Sequence, residues 1–133
     1  MLLLFPHKQL AAAVEVTLKM WTDGPLRSSG QVDPTVRQRV REMTMHNFER
    51  GDDEGVEPQE LEPPAATRLD AIQTPTFIIV GDEDVRTILL VADRPDAEIA
   101  GAKKVVIPNT AHHLNMEQPE QFNQVVLDFL ESL

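Results

Sequence analysis

Two apolar runs in the second half of this chain end in residues able to move protons. Thr76-Phe-Ile-Ile-Val80 enters Gly81-Asp-Glu-Asp84, and Val105-Val-Ile107 leads through Pro108-Asn-Thr-Ala111 to His112-His113. A carboxylate that accepts the Nδ1 proton of an imidazole fixes its tautomer and stabilises the imidazolium. With an unperturbed pKa of about 6.5, the imidazole takes and returns a proton at neutral pH. Together they fill two roles of a Ser-His-Asp triad. The nucleophile has no candidate: the serines are Ser28, Ser29 and Ser132, none in a Gly-x-Ser-x-Gly turn after a buried strand. Chemistry alone leaves Asp84 or Asp82 as the acid and His112 or His113 as the base. Asp84 also reads as an N-cap for the helix that follows.

The elements that must position these groups follow from periodicity and turn residues. Leu10, Val14, Leu18 and Trp21 recur near helical period until Gly24-Pro25. Asp33-Pro34 starts a second helix, with Val36, Val40 and Met43 as its apolar stripe, arginines on its other faces, and Gly51 as its stop. Asp52 to Pro64 is an acidic, proline-bearing loop, and 64–69 suits a short helix. The unbroken run Thr76–Val80 predicts a parallel strand buried on both faces. Val85 to Ile99 reads as a helix that kinks or restarts near Arg94 because of Pro95. Lys103–Ile107 is the second strand. The closing helix from about Pro119 carries Phe122, Val125, Val126, Phe129, Leu130 and Leu133 on one face. Strand–helix–strand order predicts parallel pairing through a crossover.

A net charge of −10 and the absence of a basic stripe argue against nucleic acid or an anionic membrane as partner. Met1–Phe5 is apolar but is stopped by Pro6 and lacks a basic flank, so neither a signal peptide nor a membrane span is expected, and a cytoplasmic location follows by elimination. There is no cysteine, and His7 and His46 are isolated, so no metal and no cofactor are expected. Gly51-Asp-Asp-Glu-Gly55 matches the Gly-x-Asp-x-Gly turn of aspartate nucleophiles. A charged helix precedes it instead of a buried strand, and Val56-Glu-Pro58 follows instead of a helix, so it is rejected.

The run Pro108-Asn-Thr-Ala-His112-His-Leu-Asn-Met-Glu117-Gln-Pro-Glu120, with Gly81-Asp-Glu-Asp84 before it, resembles the carboxy-terminal third of the α/β-hydrolase fold superfamily, particularly small bacterial esterases and enol-lactone hydrolases. Their usual run is Pro-Gly-x-Gly-His, four residues, then Glu-x-Pro-Glu. Counting back from Glu117 selects His112 over His113, and the family's Gly-x-x-Asp step selects Asp84, with Asp82 as the fallback. Asn109 and Ala111 stand where the family commonly has glycine. The similarity covers about residues 68–133, and extends more loosely through Trp21-Thr-Asp-Gly-Pro25 and Val32-Asp-Pro34, which resemble the cap-helix region.

The resemblance implies an α/β chain with a partial α/β-hydrolase fold: a cap-like helical region with an acidic loop over 1–64, then a β-α-β-α unit with parallel strands over 65–133. It implies a chain that supplies Asp84 and His112 for carboxylic ester or lactone hydrolysis and is inactive in isolation. The alternative is a non-catalytic remnant acting in binding or self-association. Two strands alone leave exposed edges, so the expected partners are a second copy of the chain or a complementing amino-terminal hydrolase segment, with a small ester or lactone as substrate once the site is complete. Met1–Phe5 is expected to add a strand at the sheet edge.

Overall fold

A computed structural model describes residues 7–51 and 59–133. The expected Met1–Phe5 edge strand, and the Asp52–Gly55 part of the acidic loop, lie outside the described residues.

Helix α1 spans His7–Thr17 and widens into a π turn over Leu18–Asp23 before Gly24 ends it. Helix α2 spans Pro34–Arg50. Asp33 caps it, its carboxylate accepting from the Thr35 and Val36 amides at 2.7 and 3.3 Å. Those two backbone bonds hold its carboxyl below the usual carboxylate range. Val14, Leu18 and Val40 form the buried contact between the two helices, with Val36, Met45 and Met116 packed against them. The expected Met43 is instead 51% exposed. Met45, an unbranched chain suited to irregular gaps, packs against this core in its place.

The arginines of α2 do more than cover a solvated face. Arg37 forks onto the buried Asp23 (Nε to Oδ1 2.9 Å, Nη2 to Oδ2 3.3 Å) and reaches Glu15 at 3.1 Å. Arg41 pairs with the same Glu15. Charge-assisted bonds thus tie α2 to the middle and to the carboxy-terminal end of the first helical segment.

Strands β1 (Phe77–Gly81) and β2 (Lys103–Ile107) pair in parallel, with Val80 opposite Val106 and Gly81 opposite Ile107. Helix α3 (Arg86–Glu98) makes the crossover and packs on both strands. It does not restart at Pro95, contrary to expectation. The carbonyl that proline leaves without an amide belongs to Val91, which is exposed, and the Arg94–Glu98 pair at 2.9 Å braces the same turn. The prediction of a strand buried on both faces also fails for most of β1. Only Val80 and Gly81 are buried, and Phe77 to Ile79 are half-buried, because the described elements packed on the sheet do not cover both of its faces there.

A single helical turn, α4 (Leu114–Glu117), follows the second strand, and α5 (Pro119–Glu131) closes the described chain. Phe129 stacks on Phe77 with ring centroids 4.8 Å apart. The apolar face of α5 is only partly covered: none of its residues is fully buried, and Leu130 is 55% exposed. No helix among the described residues is long and apolar enough to cross a membrane.

Candidate active site

Parallel pairing brings the carboxy-terminal ends of β1 and β2 to the same edge of the sheet. The turns that follow are joined by main-chain bonds, from Asp82 N to Ile107 O (3.3 Å) and from Glu83 N to Thr110 O (2.9 Å). Gly81 permits this approach, since a Cβ there would fall 2.2 Å from the Thr110 carbonyl oxygen. The Asp84 amide then donates back to Gly81 O at 3.3 Å, closing the turn and leaving Asp84 3% exposed.

The Asp84 side chain is bonded through both oxygens. Oδ1 accepts from the Val85 amide at 2.7 Å, and Oδ2 lies 2.8 Å from His112 Nδ1. A buried carboxylate is an acceptor, so Nδ1 carries the proton and the lone pair stays on Nε2. The N-cap position of α3 falls on Val85, which makes no side-chain capping bond, so Asp84 does not take the capping role its residue type suggested. Asp82 is exposed, and its carboxylate makes no hydrogen bond among the described residues.

His112 is held from the helical side as well. Its amide donates to Trp21 O at 3.1 Å, and its ring centroid lies 4.9 Å from that of the Trp21 ring. Trp21 reaches this place from the π turn, a local widening that inserts a residue into a helix and re-aims those after it. The His112 side chain remains 46% exposed, so Nε2 belongs to a partly open face.

His113 points elsewhere, its Nδ1 3.4 Å from Thr22 Oγ1. Burial pushes its pKa below the ordinary histidine value, and the neighbouring His112 adds to this, against weaker opposing effects from the Trp21 backbone, Glu117 and Asp84. A histidine kept neutral in the fold binds a proton more readily when unfolded, so stability falls as pH drops below about 6.5. His113→Gln removes this contribution. Urea midpoints at pH 7.5 and 5.5 are expected to shift less in the variant than in the parent; equal shifts would contradict the assignment.

The sequence reading missed two contributors. Arg27, in the loop after Gly24-Pro25, forms a buried ion pair with Glu117 at 2.7 Å. Its side chain had no local signal, since both partners sit in polar stretches far apart in the chain. The Trp21 carbonyl was equally silent, because any residue type supplies one. No group of three or more His, Asp or Glu among the described residues could hold a metal ion.

Neither known family models nor curated proteins match this chain. Solved structures do. MenH from S. aureus is 25% identical, with a TM-score of 0.61 over 94% of this chain and 48% of that one. A hydrolase from Pseudomonas aeruginosa PA01 is 25% identical, with a TM-score of 0.59 over 96% of this chain and 51% of that one. Carboxylesterase CesB from Bacillus subtilis is 24% identical, with a TM-score of 0.57 over 93% and 45%. The chain has a partial α/β-hydrolase fold. It spans about half the length of the solved structures it matches. Within the α/β-hydrolase fold, the end of the sheet that carries Asp84 and His112 is where open α/β sheets place their functional groups.

Proposed function

We propose that this chain supplies the acid and the histidine of a Ser-His-Asp triad for carboxylic ester or lactone hydrolysis, with the serine coming from a nucleophile elbow outside these 133 residues. The observation that carries the reading is the 2.8 Å contact between a buried Asp84 Oδ2 and Nδ1 of a half-exposed His112. In that role Asp84 holds the Nδ1 proton, and Nε2 takes the serine proton as its oxygen attacks the acyl carbon. The imidazolium then returns that proton to the leaving alkoxide, and water repeats the sequence on the acyl-enzyme. The similarity to carboxylesterase CesB supports the substrate class. Residues 1–64 form the cap-like region in this reading, and 65–133 the sheet unit.

Complementation tests the proposal. The chain is mixed with the amino-terminal half of a structurally similar esterase, and turnover of a p-nitrophenyl ester is followed. Turnover in the mixture that disappears with His112→Ala is the expected result. A folded mixture without turnover, or turnover unchanged by His112→Ala, would overturn the proposal.

A second reading, a non-catalytic chain that associates with its own copy, is favoured by one observation: the described residues leave the face of α5 partly uncovered and give the sheet two strands only. Sedimentation equilibrium distinguishes a monomer from the dimer this reading requires.

A further inference from the structure

Arg27 is 7% exposed, yet all five of its N–H donors are used. Nε donates to Asp23 O at 2.8 Å. Nη1 donates to Asn109 O at 2.8 Å and to Glu117 Oε2 at 2.7 Å. Nη2 donates to Thr22 O at 2.8 Å and to Glu117 Oε1 at 3.1 Å. Glu117 Oε1 in turn accepts from the Ala111 amide at 2.8 Å. Arg27 also holds its own segment in shape, because the two carbonyls it takes there belong to the end of the π turn that presents Trp21.

The loop 109–112 therefore has its main chain held at four consecutive residues. Asn109, in a left-handed conformation at φ +58, gives its carbonyl to Arg27. Thr110 gives its carbonyl to Glu83 N, Ala111 gives its amide to Glu117, and His112 gives its amide to Trp21 O. Two of these four bonds run to the Arg27–Glu117 pair and a third to the segment that Arg27 braces. The imidazole reaches Asp84 Oδ2 only from a particular main-chain position, and the bonds at Ala111 and His112 keep the main chain there.

We propose that Glu117 and Arg27 are positioning residues, a buried two-residue clamp that sets the His112 loop against Asp84. They act through the Ala111 amide and the Asn109 carbonyl and touch no reacting atom. The inference rests on His112 and Asp84 forming the acid–base pair, and it assigns to a cap-side arginine the placing of a histidine on the sheet side.

The test uses the chain as it stands and reads the hydrogen bond directly. The His112 Nδ1 proton, shielded from exchange by Asp84, gives a low-field proton NMR resonance, identified by its loss in Asp84→Asn and its survival in His113→Gln. Glu117→Gln is expected to abolish that resonance by freeing the loop to exchange, with amide dispersion and far-UV circular dichroism retained. Glu117→Asp keeps the charge for Arg27 but withdraws the acceptor from Ala111, and is expected to have the same effect. The resonance surviving in a folded Glu117→Gln or Glu117→Asp protein would overturn the clamp while leaving the Asp84–His112 pair intact. Absence of the resonance from the parent protein would overturn the pair itself, and the clamp with it. If both substitutions unfold the chain, the pair is a fold element and the positioning assignment falls.

Discussion

On the proposed function, Asp84→Asn is expected to lower kcat of the complemented mixture on the order of 10⁴-fold with KM little changed, the scale of loss when a triad histidine is held in the wrong tautomer. The size of the effect follows from the geometry. Asp84 Oδ2 sits 2.8 Å from His112 Nδ1 inside a turn that leaves the acid almost no contact with water. An amide fits the same space, but its NH2 group donates toward Nδ1 and moves the imidazole proton to Nε2. The nitrogen that must accept the serine proton is then already occupied. Stability is expected to change little, since the isosteric amide still offers an oxygen to the Val85 amide. Steady-state kinetics on the complemented mixture check this, with circular dichroism as the control for folding. A loss of less than tenfold would remove Asp84 from the acid role and return Asp82 to consideration.

Gly24→Ala is expected to be strongly destabilising, because it adds a methyl where both the backbone conformation and the space exclude one. Gly24 stands at φ +80 and ψ 169, a region that side chains other than glycine occupy at a cost of about 1–3 kcal/mol. A Cβ there would also lie 2.1 Å from the Glu83 carbonyl oxygen and 3.4 Å from the Ala111 side chain. It would wedge the segment after the π turn away from the turn that carries Asp84, and overpacking of this kind adds roughly 1–3 kcal/mol. Gly51 provides the internal reference. It has nearly the same backbone, φ +70 and ψ 172, but a Cβ there meets nothing within 4 Å among the described residues. Gly51→Ala should therefore show the conformational cost alone. Urea unfolding of the two variants side by side isolates the packing cost, and equal losses would show that the Gly24–Glu83 approach does not constrain the fold. Gly24→Ala is also expected to weaken the Asp84–His112 bond, because Trp21 and Arg27 belong to the segment that the new methyl displaces.

Much of this architecture is written in local sequence, and the reasons are local. The apolar run after Thr74-Pro75 forms β1 because β-branched residues bounded by proline and glycine have few alternatives. Asp33-Pro34 begins α2 because a side-chain acceptor and a preset φ act within one turn. Strand–helix–strand order brings the ends of β1 and β2 to one edge, which makes the strand-end Asp84 and the post-strand His112 candidates from sequence. Burial was read less well. Met43, the lower part of β1 and the face of α5 have apolar patterns, yet a pattern states only which residues favour burial. Whether they achieve it depends on what covers them, and here a two-stranded sheet covers little.

The choices within the site belong to the tertiary structure. Residue chemistry does not separate His112 from His113, which are adjacent and of one type, and only the spacing to Glu117 in the family-like run favours His112; the fold points one at Asp84 Oδ2 and the other at Thr22 Oγ1. Nor could it show that Arg27 is buried, since a guanidinium in a Pro-Gly-Ser loop is ordinarily solvated, and five acceptors gather around it only when its own segment and the histidine loop meet. Short-range sterics and periodicity determined which elements form and which edge of the sheet carries the chemistry. Long-range packing and the need to satisfy buried charge decided which histidine faces the acid and what holds it there.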